Sequence, residues 1–241
     1  MKNKESRPQA YYGVDVGILM VNTEFRRFAG DVGNASTWNF PVQYKVVREA
    51  KATSMTCLHE VSLLEEFKAA GRELVDEGVS ALSTSCGFLA LYQKEMADHC
   101  QVPVATSSLL QVALVQRLLP AGQTVGIMTF SAETLQAPYL EAAGAPMGSP
   151  IIGMSPDSEF VRSIRAGDRS VPRAVLEAEV LATAQRLVEK NPEIGAIVLE
   201  CTNLCPYAAE IREHTDRPVF DITSLISWLQ SGMRPTRRAK E

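Results

Sequence analysis

The segment "STSCGFLALYQKEMADHCQVPV" (83–104) recurs without a gap as "VLECTNLCPYAAEIREHTDRPV" (198–219). Both run from an apolar stretch to a cysteine, through a segment of helical period, to a short apolar stretch after proline. Val79 falls on Ile194, Cys86 on Cys201 and Pro103 on Pro218, each 115 residues further on. Upstream, "ELVDEGVSAL" (73–82) matches "RLVEKNPEIGAI" (186–197) with two residues added, and "VGILM" (16–20) matches "VGIMT" (125–129) at a shift of 109. Each half therefore reads strand, irregular segment, long helix, strand, cysteine loop, helix, short strand, helix. A period of half a chain is too long for a solenoid and fits two similar lobes facing each other.

Apolar runs of strand length alternate with helical patterns, which predicts an α/β fold with largely parallel sheets. The strands are expected at 13–20, 43–47, 79–84, 102–105, 124–129, 194–199 and 218–221. The helices are expected near 59–77, 88–99, 107–118, 132–143, 172–190, 205–214 and 223–231. One lobe would take residues 12–106 plus a closing helix at about 222–231, and the other residues 107–221. The stretch 22–41, "NTEFRRFAGDVGNASTWNFP", is a long irregular loop of the kind that often carries function.

Composition narrows the classes. The 241 residues are 46% hydrophobic and 22% charged, the balance of a globular protein, and the net charge of −4 offers nothing to nucleic acid. No run reaches the roughly 18 apolar residues of a membrane span, and the polar start lacks a signal-peptide core. The basic "RPTRRAK" (234–240) reads as a solvated tail. Five widely spread cysteines do not make a disulfide framework, so reduced thiols in a cytoplasmic protein are expected. A homo-oligomer is the default assembly.

Ligands of open α/β sheets sit beyond the carboxyl ends of the strands, where Cys86 and Cys201 both fall. A helix N-terminus there should lower each thiol pKa and raise the thiolate fraction. Two lobes related by a pseudo-twofold would set the thiols on opposite sides of a small molecule in the cleft. One thiolate could then take a proton from the reacting carbon while the other thiol returns one to the opposite face. Ser85, Gly87, Phe88, Thr202 and Asn203 are placed to hold the developing charge. Asn22 and Thr23, with Thr129 and Ser131 as their counterparts, should enter the same cleft mouth.

The paired loops "TSCG" and "ECTNL", each after a strand in a duplicated half, resemble the aspartate/glutamate racemase superfamily, which includes hydantoin racemases, maleate isomerases and arylmalonate decarboxylases. The likeness spans about residues 12–231. It implies two pseudo-symmetric Rossmann-like lobes with the active site in the cleft between them. It also implies Cys86 and Cys201 as the acid/base pair, with no cofactor, neither pyridoxal phosphate nor metal. The expected activity is a cofactor-independent isomerase, racemising or epimerising an amino acid or related small carboxylate. Gly87-Phe88 and Thr202-Asn203 replace the Asn-Thr and Thr-His of glutamate racemases, and Val21-Asn22-Thr23 replaces their Asp-Ser, so the substrate should differ from glutamate. Decarboxylases of the superfamily lack the first cysteine, whereas maleate-isomerase-like chemistry would use one thiolate as nucleophile. A two-lobed module that binds without chemistry is the rival from another class.

The remaining candidates read as structural. Cys57, Cys100 and Cys205 have no partner in register, and Cys201 with Cys205 is not a C-x-x-C metal pair. His59, His99 and His214 are scattered. Arg26 and Arg27 could clamp a carboxylate from the long loop. "GDVGNAST" (30–37) lacks the lysine of a phosphate loop. Phe88, Trp38 and Phe40 are candidates for an apolar pocket wall.

Overall fold

The computed structural model describes residues 11–51 and 61–234, so Cys57, His59 and the tail beyond residue 234 lie outside the described residues. The first sheet contains β1 (Val16–Asn22), β2 (Val42–Lys51), β3 (Ala81–Thr84) and β4 (Val104–Ala105). The second contains β5 (Thr124–Thr129), β6 (Ile151–Gly153), β7 (Ile194–Leu199) and β8 (Val219–Phe220). Both sheets are wholly parallel and share one order, second strand, first, third, fourth.

The central strands β1, β5 and β7 are near-continuous apolar runs because both of their faces are covered, whereas the edge strand β2 is polar and only partly buried. Alternate residues of β7 show it: Ala196 and Val198 join the core cluster that runs through both sheets, whereas Ile197 and Leu199 pack into the cluster on the other face. In β1, Val16, Ile18 and Met20 meet Ile222, Leu225 and Ile226 of the last helix.

The helices are α1 (Val61–Asp76), α2 (Gln93–Cys100), α3 (Val112–Leu118), α4 (Ala137–Ala143), α5 (Glu159–Ala166), α6 (Arg173–Lys190), α7 (Ala208–Thr215) and α8 (Ile222–Met233). After β4 the chain crosses to the second sheet, where α3 packs on β5, and after β8 it returns, with α8 packing on β3 and β4. Gln111 Nε2 donates to the Asp221 carbonyl at 2.8 Å, tying the starts of the two crossing helices together. Ser108 Oγ donates to the Leu199 carbonyl at 2.6 Å, pinning the first crossing to β7.

The repeat survives in fine detail. Gln101 (φ 58°) and Asp216 (φ 52°) each end a helix in the left-handed conformation, and they are the two non-glycine residues with positive φ among those described. They too are 115 residues apart.

Three expectations need correction. β6 and α5 were not predicted: β6 is three residues long, and α5, although amphipathic, is only eight residues long. The helix expected from 132 starts at Ala137, where Pro138 suits a first turn that needs no N–H. The helices expected directly after the cysteines begin instead as 3-10 turns, Gly87–Tyr92 and Thr202–Tyr207, and become α-helical at Gln93 and Ala208.

Candidate active site

Between the carboxyl ends of the two sheets lies a cavity of about 260 Å³. Cys86 and Cys201 both line it, with Ser85, Gly87, Phe88, Thr202, Asn203 and Thr23. β3 and β7 deliver the cysteines at equivalent points. The Phe88 and Leu89 N–H groups lie near enough to the Cys86 sulfur to favour its thiolate, the Leu89 N–H donating to the Cys86 carbonyl at 3.1 Å, and the Asn203 N–H favours the thiolate of Cys201. The cysteine loops are joined across the cleft, where Thr202 Oγ1 donates to the Ser85 carbonyl at 2.8 Å.

Ser85 and Thr23 also take structural duties, whereas Asn22, Thr129, Ser131, Trp38, Phe40 and Arg26 lie outside the cavity. The Ser85 hydroxyl accepts from Val21 N–H at 2.9 Å. Thr23 Oγ1 accepts from Arg27 Nη2 at 2.8 Å. Asn22 is exposed and bonded to the Arg48 carbonyl, in an outer groove beside the cavity rather than within it. Ser131 pairs with Thr134 Oγ1 at 3.0 Å and does not line the cavity. Thr129 is buried beneath the wall. Trp38 and Phe40 pack with the cluster around α8, away from the cavity, because Trp38 Nε1 is held by the Tyr44 hydroxyl at 2.9 Å. Arg26 stacks on Phe28, 5.0 Å from the ring centre, outside the cavity.

Several contributors to the cavity were not singled out in the sequence, among them Glu200, Arg165, Phe130, Phe25 and Ile164. Arg165, from α5, lies over the Phe130 ring at 5.7 Å and has no carboxylate partner among the described residues. Arg27 also reaches the cavity, but its guanidinium is engaged by buried Asp31 at 2.6 Å.

Glu200 is 1% exposed. Its Oε2 accepts from the Thr129 hydroxyl at 2.6 Å, and its Oε1 has no partner. The side chain lies against the opposite loop: a Cβ at position 87 would overlap Oε1 and the Glu200 carbonyl, and would sit 2.7 Å from Cδ. Only glycine fits beside Cys86 with this carboxyl in place. Burial raises the Glu200 pKa to about 7, while the Thr129 hydrogen bond holds it down.

The expected low thiol pKa is overturned. Burial, and then the Glu200 charge, push Cys86 up to about 12 against the pull of the Phe88 and Leu89 N–H groups. Cys201 is raised well above its ordinary value by the same two causes, opposed by the Asn203 N–H. A 3-10 turn of a few residues offers local donors, not the dipole of a long helix. Cys100 and Cys205 are buried in the core, and Cys205 donates to the Asp221 carboxylate. No group of three metal-ligating side chains occurs among the described residues. No helix among them is long and apolar enough to cross a membrane.

Solved structures of like architecture share the whole two-lobed arrangement. A sulfate-bound glycine-to-cysteine variant of arylmalonate decarboxylase superposes with a TM-score of 0.61, covering 94% of this chain and 97% of its own, at 17% identity. Allantoin racemase from Pseudomonas fluorescens gives 0.58 over 94% and 98% at 15% identity. Aspartate racemase from Picrophilus torridus gives 0.54 at 13% identity over 95% of this chain and 97% of its own. The fold is the one these racemases and the decarboxylase share.

No protein-family model matches the sequence. By sequence the superfamily likeness takes a particular direction. A dimethylsulfoniopropionate lyase of Durusdinium sp. clade D is 29% identical over 219 residues, 86% of this chain and 70% of that protein. Dimethylsulfoniopropionate lyase 7 of Emiliania huxleyi is 27% identical over 239 residues, covering 90% of this chain and 67% of the lyase. Lyase 5 of the same alga is 25% identical over 231 residues, and there this chain spans only 45% of the relative's length. The expectation of an amino-acid racemase is therefore met in the fold, shared with racemases and a decarboxylase, whereas the similar sequences are named lyases.

Proposed function

We propose that this cavity removes a proton from the carbon beside a carboxylate, and that its reaction is β-elimination of a small sulfonio-carboxylate such as dimethylsulfoniopropionate. The observation that carries the reading is the meeting of Cys86 and Cys201 in one small cavity, each under backbone N–H groups from its own loop. Thiols so placed suit proton transfer to and from carbon. The similarity to lyases of that name supports this substrate class.

In the elimination a thiolate takes one hydrogen from C2 as a proton. The C2–H electrons become the C2–C3 double bond, the C3–S bond breaks, and neutral dimethyl sulfide departs with both electrons of that bond. Acrylate remains, and the proton stays on the thiol. Arg165 gives the carboxylate a cationic partner, and the Phe88 ring supplies aromatic surface for the sulfonium. The cavity is smaller than the roughly 300–1,000 Å³ of sites for drug-sized ligands, which suits a substrate of this size.

Racemisation of a small carboxylate is the second reading, favoured by the duplication of the thiols. Incubation with dimethylsulfoniopropionate should release dimethyl sulfide into the headspace and acrylate into solution. Cys86→Ser and Cys201→Ser should each lower that release by about 10²–10⁴-fold. Loss of optical activity from aspartate, glutamate or a 5-substituted hydantoin without sulfide release would move the assignment to the racemase. Turnover of none of them would favour a two-lobed binding module.

A further inference from the structure

We infer that Glu200 is the internal proton acceptor for Cys86, making the thiolate by taking the thiol proton within the cavity. For turnover this inference rests on the proton-abstraction reading above. The geometry is specific. Glu200 belongs to the Cys201 loop, yet its carboxyl lies against Gly87 of the other loop, next in sequence to Cys86. One oxygen is satisfied by Thr129, and the other is fully buried without a partner in the cavity wall. A buried unsatisfied polar group costs about 1–3 kcal/mol, more if charged, so a carboxylate left like this is poised to take a hydrogen.

The chemistry follows from which group ionises first. Cys86 is pushed up to about 12 and Glu200 to about 7, so removing one proton from the site leaves mainly the carboxylate. A minor form of the same charge holds Glu200 protonated and Cys86 as thiolate. In that form the two no longer repel, and the Phe88 and Leu89 N–H groups stabilise the sulfur. The transfer balances: no hydrogen bond joins the two groups directly, so the Cys86 S–H proton passes to Glu200 through a water in the cavity, the thiolate takes the C2 proton of the substrate, and Glu200 later returns its proton to solvent. The neighbours that bear on Glu200 are the Cys86 and Cys201 thiols and the Thr129 hydroxyl. Of the cations at the cavity, Arg27 is committed to Asp31 and Arg165 lies on Phe130.

The test reads Cys86 itself, without substrate. Alkylation of Cys86 by iodoacetamide, followed by peptide mass spectrometry from pH 5 to 10, should rise first with a midpoint near pH 7. That step should be absent in Glu200→Gln, which preserves shape and the Thr129 contact. At pH 7.5, Glu200→Gln should also cut dimethylsulfoniopropionate turnover by about 10²–10⁴-fold. Superimposed alkylation profiles for the two proteins, or wild-type turnover by Glu200→Gln, would overturn the inference. The alkylation profile needs no substrate, so failure to cleave the sulfonio-carboxylate would sink the proposed reaction while leaving this step visible.

Discussion

The two cysteine loops share a backbone and differ in what stands before the thiol. Residues 86–101 and 201–216 run through the same 3-10 turn, the same short helix and the same left-handed cap. Just before them, at the ends of β3 and β7, position 85 is serine, its hydroxyl accepting from the Val21 N–H, and position 200 is a buried glutamic acid. The scaffold is thus twofold and the proton inventory is not. A duplicated fold can hold the geometry of two opposed thiols while one half acquires a third ionisable group. Gly87 and Thr202, again equivalent positions, carry the mark of that divergence: one is stripped of its side chain to admit the carboxyl, and the other bridges back to the Ser85 carbonyl.

The comparison can be broken at several points. Cys86→Ser and Cys201→Ser should each lower turnover by about 10²–10⁴-fold while the near-ultraviolet circular dichroism stays native. Equal, near-total losses would mean both halves take part, and a surviving Cys201→Ser would assign the chemistry to the Cys86 side alone.

The next effect is on stability. Glu200 has a folded pKa of about 7 against an ordinary value of 4.5, so between these the unfolded chain gives up a proton that the native protein keeps. Its contribution is therefore fully present below about pH 4.5 and is lost as pH rises through 7. Glu200→Gln lacks this loss. Its stability relative to wild type should increase by about 3 kcal/mol between pH 4.5 and 8 in urea titrations.

Gly87→Ala should cost about 1–3 kcal/mol, because the new methyl meets both the Glu200 carboxyl and its carbonyl. Glu200→Ser in the same chain should recover only part of this, as the carbonyl remains. Thr202→Val, which removes the hydrogen bond between the loops, should cost about 1 kcal/mol in a thermal melt.

Much of this was legible in the sequence. β1, β3, β5 and β7 are apolar runs buried on both faces, and their pairing in register gave the two sheets and brought the thiols to one cleft. β6 escaped notice because three strand residues carry little period, and α5 because its apolar face spans only two turns, although Ser158 and Gly167 cap it; Arg165 arrives on that unseen helix. Glu200 was hidden by its chemistry, since a lone charge beside a cysteine reads as surface. Its signal lay in position: it directly follows "IGAIVL" (194–199), a strand covered on both faces, opposite a serine in the other repeat. The thiol pKa values could not be read at all, because they depend on burial and on that carboxyl. Thr129 and Ser131 were placed in the cleft by analogy of register, which cannot distinguish a wall from the layer beneath it.

The claim at the centre is that a thiolate acts as a base on the carbon beside the carboxylate. Dimethylsulfoniopropionate carrying two deuterium atoms at C2 tests it directly, with products followed by NMR and the protein by intact mass. The account predicts acrylate with a single deuterium at C2, an unmodified protein, and a primary isotope effect on kcat/KM. Retention of both deuterium atoms would contradict it, meaning displacement at C3 by water if they appear in 3-hydroxypropionate and by the thiol if they appear in a propionate attached to Cys86 or Cys201.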